Sequence, residues 1–214
     1  MNEKVILFQG DSITDTGRNT DRGSLLNIGQ GYAMLCAATL AAKYPNMFSF
    51  TNLGISGNRI VDVYARIKAD CWNHSPDVLS ILIGVNDVWH EVGSQNGVDA
   101  ERFYRVYKML VEDTKKALPN VRMILMEPFV LNCGAAAANW DYFKSETALR
   151  AEAVKNIADE CGQIFLPLQT MFDDACSLAP AEYWIGDGVH PTVAGHKLIA
   201  DAWMRTFEEK ILIK

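Results

Sequence analysis

Apolar residues along this chain fall into two kinds of pattern. Short, near-continuous runs occur at Val5-Ile6-Leu7-Phe8, Val78-Leu79-Ser80-Ile81-Leu82-Ile83, Met123-Ile124-Leu125-Met126 and, more weakly, Gln163-Ile164-Phe165-Leu166. Runs of this length suit strands buried on both faces, as in a parallel sheet covered by helices. Between them the apolar positions recur at helical spacing. Phe103, Val106, Tyr107, Leu110 and Val111 make one stripe, with Asp99 placed to cap it and Pro119 past its end. Leu149, Ala153, Ile157 and Cys161 repeat every fourth residue ahead of Gly162, and Ile199, Trp203, Phe207 and Ile211 do the same after Pro191. Further helices are expected from about Val61 and over the apolar stretch Ala33 to Ala42. Strand alternating with helix predicts a three-layer α/β/α domain with a central parallel sheet. No repeat, low-complexity segment or linker interrupts the pattern, so residues 1–214 are expected to form one domain. Ligands of such sheets bind beyond the carboxyl ends of the strands.

Composition narrows the function classes. Hydrophobic residues make up 49% and charged residues 21%, as in ordinary globular proteins, which excludes disorder. Twenty basic against 26 acidic residues give a net charge of −6 with no basic run, so no nucleic-acid partner is expected. The apolar run after Met1-Asn2-Glu3-Lys4 ends at Phe8, and the stretch 33–42 is too short to cross a bilayer. A cytoplasmic protein without a membrane partner is expected. Its five cysteines, an odd count with no CxxC pair, read as reduced thiols. His74, His90, His190 and His196 show no metal-ligand spacing, so neither a metal nor another cofactor is expected. A homo-oligomer stays open.

Four segments at the ends of these elements carry chemistry. Gln9-Gly10-Asp11-Ser12 follows the first strand, where a serine hydroxyl faces the crevice; the same serine also suits a helix cap. Asn52-Leu53-Gly54-Ile55-Ser56-Gly57-Asn58 is a glycine-containing loop that lets backbone N–H groups approach a ligand, or a plain turn. Gly84-Val85-Asn86-Asp87 follows the strand at 78–83, with an amide side chain to aim at an oxyanion or to make an Asx-turn. Gly186-Asp187-Gly188-Val189-His190-Pro191 sets an aspartate three residues before a histidine that Pro191 keeps out of helix. Together they supply a nucleophile, a base with its orienting carboxylate, and oxyanion donors, the parts of serine-dependent acyl transfer.

These segments resemble the four motif blocks of the GDSL, or SGNH, hydrolase family. The matches are Gly10-Asp11-Ser12, with Ile13 where the family name has leucine, Asn52-Leu53-Gly54, Gly84-Val85-Asn86-Asp87 and Asp187-Gly188-Val189-His190-Pro191. The resemblance implies a flavodoxin-like sandwich. It also implies Ser12 as nucleophile, His190 as base and Asp187 as its orienter, with an oxyanion hole from the Ser12 and Gly54 N–H groups and the Asn86 side chain. The nucleophile elbow Gly-x-Ser-x-Gly is absent, because Thr14 stands at its second glycine. Gly10 to Asp15, Gly54 to Asn58, Asn86 to Trp89 and His190 to His196 look most like the branch of acetylxylan esterases and carbohydrate deacetylases. The implied substrate is therefore a small acyl ester, acetyl first, on a carbohydrate. Thioesterases and lysophospholipases share the blocks and remain an alternative.

Asp11, Arg59, Trp89, Tyr183 and Trp184 are candidate substrate contacts, against core packing or a solvated helix-start charge as the plainer reading. The polar stretch Arg18 to Gly29 is a candidate pocket rim. Two rival classes follow from the same residues. Thr14 to Thr20 loosely mimics the phosphate loop of a flavin-binding electron carrier, and Asp11 mimics a phosphatase nucleophile.

Overall fold

The computed structural model describes residues 3–20 and 27–212. Five parallel strands form one sheet: β1 (Lys4–Gly10), β2 (Phe48–Asn52), β3 (Val78–Leu82), β4 (Arg122–Met126) and β5 (Ile164–Leu166), in the order β2-β1-β3-β4-β5. The helices are α1 (Ser12–Asp15), α2 (Tyr32–Lys43), α3 (Ile60–Asp70), α4 (Val85–Ser94), α5 (Ala100–Ala117), α6 (Gly134–Ala137), α7 (Trp140–Glu160), α8 (Gln169–Ala175), α9 (Ala181–Trp184) and α10 (Val193–Phe207).

Both faces of the sheet are buried, which is why the strand sequences run apolar without alternation. Ile6, Phe8, Val78, Leu82, Ile124 and Met126 pack with α2 and α10, while Leu7, Leu79, Ile81, Met123 and Leu125 pack with α3, α5 and α7. Ser80, the one polar residue inside β3, accepts from Trp203 Nε1 at 3.0 Å and so ties α10 to the middle of the sheet.

The caps behave as the residues predict. Asp99 Oδ1 accepts from Arg102 N at 2.9 Å to start α5, and Gly162 follows α7 with φ +62°. The stripe on α7 differs from expectation. Leu149 is exposed, while Phe143, Thr147, Arg150, Val154 and Ile157 face inward. A row of every fourth residue drifts by about 40° per step on a 3.6-residue helix, so it cannot stay on one face for three turns. The row on α10 keeps Ile199, Trp203 and Phe207 buried, and a π-turn at Glu208–Leu212 follows, with Ile211 half-buried.

Candidate active site

β1 delivers the first functional segment. Asp11 Oδ1 accepts from Ile13 N at 3.0 Å, so the aspartate, not Ser12, caps the four-residue α1, and Ser12 is left as its first residue. Asp11 itself is 1% exposed, which removes it as a substrate contact and as a phosphatase nucleophile. Burial pushes its carboxyl up to about 7, against the pull of the Ile13 N–H and of His190. Thr14 is also buried, its hydroxyl 3.0 Å from Tyr32 Oη, so it does not face outward as a phosphate loop requires.

β2 delivers the second segment through the buried side chain of Asn52. Its Nδ2 donates to Thr14 O at 2.7 Å and Ile28 O at 2.8 Å, and its Oδ1 accepts from Gly54 N at 3.0 Å. Gly54 therefore differs from expectation, because its N–H is already bonded inside the protein. A Cβ there would stand 2.6 Å from Asp15 N and 3.0 Å from Asp11 O, so the position requires glycine for contact with α1. Farther along the loop, Ile55 N donates to Gly10 O at 3.0 Å, Ser56 N to Asp15 Oδ2 at 3.2 Å, and Asn58 N to Ile55 O at 3.1 Å. Gly57, at φ +82° with open space around its Cβ position, is the loop residue whose N–H has no partner among the described residues. The Ser12 N–H has none either.

β3 delivers the third segment. Asn86 lies in the first turn of α4 rather than in a loop, and its Nδ2 donates one hydrogen to Asn58 O at 3.1 Å. An amide nitrogen carries two hydrogens, so a second remains to donate. The adjoining Asp87 is fully buried and accepts from Ile60 N at 3.1 and 3.2 Å, which fixes the start of α3 against α4. Burial holds this carboxyl well above the usual carboxylate range.

The fourth segment follows α9. Asp187 Oδ1 accepts from Val189 N at 3.0 Å and His190 N at 2.7 Å, and Asp187 Oδ2 lies 2.7 Å from His190 Nδ1. A bridge between Ile185 and Pro191 closes the loop. His190 Nε2 lies 2.7 Å from Ser12 Oγ, across 178 residues of sequence. Partial burial alone would raise the Asp187 carboxyl, but its bonds from His190 N–H, the imidazole and Val189 N–H hold it below the usual range. The His190 side chain is 49% exposed, so bulk solvent reaches the cluster.

The expected substrate contacts scatter. Arg59 is committed to Asp62 and to Asn96 O and Oδ1 at 2.6 and 2.8 Å, where it ties α3 to the segment after α4. Trp89 packs edge-on against Phe143, ring centroids 5.3 Å apart, as a half-buried core residue. Tyr183 and Trp184 sit on α9, just ahead of the histidine loop, their rings 4.9 Å apart with Tyr183 57% exposed. His196 is buried, stacks on Tyr32 and accepts from Tyr32 N at 3.2 Å; burial pushes it down to about 4, so it stays neutral. Of the polar stretch 18–29, residues 21–26 lie outside the described residues. A cleft of about 640 Å³ lies elsewhere, at the β5 edge between α7 and α8 with Trp140, Thr147 and Phe165 in its lining, and holds none of the candidate residues.

Residues 8–198 match the model of the GDSL-like lipase/acylhydrolase family. The chain is 35% identical over 209 residues to an acetylxylan esterase of Geobacillus stearothermophilus, covering 94% of this chain and 92% of the relative. A structure from Parabacteroides merdae, assigned to the GDSL-like lipases, superposes with a TM-score of 0.92 at 38% identity, covering 98% of this chain and 97% of the other. A catalytic mutant of the Geobacillus esterase, altered at an aspartate, superposes with a TM-score of 0.86 at 32% identity, covering 96% and 95%. Further catalytic mutants of that enzyme are altered at a histidine and at a serine, and its aspartate lies three residues ahead of its histidine. No helix among the described residues is long and apolar enough to cross a membrane.

Proposed function

Because the chain belongs to the GDSL-like lipase/acylhydrolase family and is a carboxylic ester hydrolase, we propose that it removes acetyl groups from carbohydrate esters through a Ser12-His190-Asp187 triad. The observation that carries this reading is the unbroken chain from Ser12 Oγ through both nitrogens of His190 to Asp187, with both links at 2.7 Å. The serine, aspartate and histidine altered in the catalytic mutants of the Geobacillus esterase support the same assignment.

In this mechanism Ser12 Oγ attacks the ester carbonyl carbon as its proton passes to His190 Nε2. Asp187, ionised at neutral pH, accepts from Nδ1–H and stabilises the imidazolium. The carbonyl oxygen becomes an oxyanion that takes hydrogen bonds from the Ser12 N–H, the Gly57 N–H and the second amide hydrogen of Asn86. Gly57 replaces Gly54 in this role because the Gly54 N–H is held by Asn52. The oxyanion collapses, the C–O bond to the alcohol breaks, and His190 Nε2–H protonates the leaving oxygen. Water, deprotonated by His190, then attacks the acyl-serine, and Ser12 recovers its proton as acetate departs.

A carbohydrate alcohol is supported by the acetylxylan esterase relative and by the exposed Tyr183 beside Trp184, since aromatic faces suit sugar rings. The span of the four segments, from residue 12 to residue 190, supports a single domain. The five free cysteines support a reducing compartment, the cytoplasm.

Hydrolysis of 4-nitrophenyl acetate, butyrate and octanoate, together with acetylated xylobiose, tests the reading. Acetate should be preferred, acetic acid should be released from the sugar, and Ser12→Ala should abolish both. Asn86→Ala should lower kcat by about 10²–10³. Octanoate preference would move the substrate to the lysophospholipase or thioesterase side of the family, and full activity in Ser12→Ala would overturn the triad.

A further inference from the structure

The three oxyanion donors lie just beyond the ends of β1, β2 and β3, where the ladders stop at Phe8–Asn52 and Gly10–Leu82 and few backbone bonds, such as Ile55 N to Gly10 O, continue across. One side chain bonds to two of these segments and, through Asn58, is linked to the third. Arg66, on the second turn of α3, is only 17% exposed and spends its guanidinium on groups flanking the Ser12 and Gly57 donors, one of which, Asn58, also holds Asn86. Its Nη2 donates to Gln9 Oε1 at 2.8 Å and to Gly10 O at 3.4 Å, at the end of β1, two residues ahead of Ser12. Gln9 Oε1 also accepts from Gly10 N at 3.0 Å, so the same oxygen clamps the turn into Asp11-Ser12. The Arg66 Nη1 donates to Leu53 O at 2.9 Å and its Nε to Asn58 Oδ1 at 2.8 Å, at the two ends of the loop that carries Gly57. Asn58 in turn receives Asn86 Nδ2 on its backbone oxygen. On the outer side Arg66 pairs with Asp70 of its own helix.

We infer that Arg66 is a positioning residue that sets the spacing of the Ser12, Gly57 and Asn86 donors. The argument is geometric. A guanidinium is a rigid planar fork with five hydrogens, and here its nitrogens reach β1, both ends of the loop and the Asp70 carboxylate together. A lysine has one nitrogen at this place and cannot span them. The β1 contacts and the loop contacts are joined through a single planar group, so the donors are held as a set rather than one by one. Oxyanion stabilisation depends on donors fixed before charge develops, and a misplacement of about 1 Å can cost on the order of a hundredfold in rate. Arg66 touches neither substrate nor reacting atoms in this scheme. Its effect is confined to the donors, so it should appear in kcat and not in KM.

The inference rests on the triad reading, and the experiment separates the two. Arg66→Lys, Asp70→Asn, Asn58→Ala and Ser12→Ala are compared with wild type on 4-nitrophenyl acetate, with thermal midpoints measured in parallel and assays run well below them. Arg66→Lys should lower kcat by roughly tenfold to a hundredfold with KM within twofold. Its inhibition constant for a boronic acid that mimics the tetrahedral oxyanion should weaken by a similar factor. Asp70→Asn removes only the outward pair and should lower the midpoint while leaving kcat within twofold. In an Asn86→Ala background the Arg66→Lys effect should shrink, because one of the donors it positions is gone. Asn58→Ala, which deletes the Nε acceptor but keeps the backbone oxygen for Asn86, should lower kcat at least threefold and carries the test if Arg66→Lys does not fold. Normal kcat in folded Arg66→Lys, or in Asn58→Ala when the lysine variant fails, with Ser12→Ala dead, overturns the inference alone. An active Ser12→Ala overturns the triad beneath it.

Discussion

Asp11 illustrates how a residue beside the proposed nucleophile acts through its ionisation. Its carboxyl caps α1 with one oxygen while the other is buried without a partner among the described residues. In the folded chain the group titrates near 7, and in the unfolded chain near 3.8. The native state therefore holds a proton that the unfolded state releases between those values. The stability this contributes is complete below about pH 3.8, falls as pH rises, and is gone above about pH 7. Asparagine keeps the oxygen that accepts from Ile13 N and cannot ionise. Asp11→Asn should thus be more stable than wild type, and its advantage in urea unfolding should widen by about 2–3 kcal/mol from pH 5 to pH 8. An advantage independent of pH would mean that the carboxyl is solvated or paired in the native state.

At the scale of elements, the loop from Asn52 to Asn58 shows two glycines with different physical reasons. Gly54 is fixed by contact, since any side chain there meets the backbone of α1, whereas Gly57 is fixed by its left-handed φ in open space. Gly54→Ala should cost about 3 kcal/mol or more, since the clash is with backbone that α1 cannot move. Gly57→Ala should cost only about 1–2 kcal/mol, the left-handed backbone penalty. Urea-unfolding midpoints of the two variants check that order. Both glycines stand in the motif loop, but the resemblance gives the donor role to Gly54, whose N–H is taken by Asn52. The direction of an N–H depends on a side chain such as that of Asn52, which no spacing rule reports. The same holds for Arg66, whose partners lie up to 57 residues away. Strands β1, β3 and β4 were legible because both of their faces are buried. β2, Phe-Ser-Phe-Thr-Asn at the sheet edge with three half-buried residues, lacks that signature. α4 carries no start signal in the sequence, because it begins directly after Gly84 with no side-chain cap.

Across the whole molecule, the site depends on a sheet whose order puts β1 and β3 side by side at its centre, so that Ser12 and Asn86 leave adjacent strand ends. The motif order along the chain is readable, but the adjacency is not, because periodicity marks strands without saying which of them pair. His190 is brought to them by α10, which follows it and is anchored at Trp203. That indole is fully buried, stacks on Phe207 with centroids 4.9 Å apart, and donates to Ser80 in the middle of β3. Trp203→Ala should destabilise the fold by about 3–5 kcal/mol. The surviving folded fraction should keep wild-type turnover, because no group at the reacting centre changes. Chemical denaturation combined with titration of Ser12 by an organophosphonate separates the two quantities, and lower turnover per labelled serine would show that α10 also tunes the histidine.

The distance along the chain between Ser12 and His190 also has a meaning in time. A ribosome adds about 5–20 residues per second, so the 178 residues between them take roughly 10–35 s to make. Throughout that interval the nascent polypeptide carries a serine with no base beside it. Its first four strands can emerge and pair while the hydroxyl remains an ordinary alcohol. On the proposed triad, ester cleavage switches on only when the last helix folds back onto strands made long before it. By the same proposal, a chain whose translation stops early is inert rather than an unregulated hydrolase, and appearance of activity during synthesis becomes a clock for the closing of the fold.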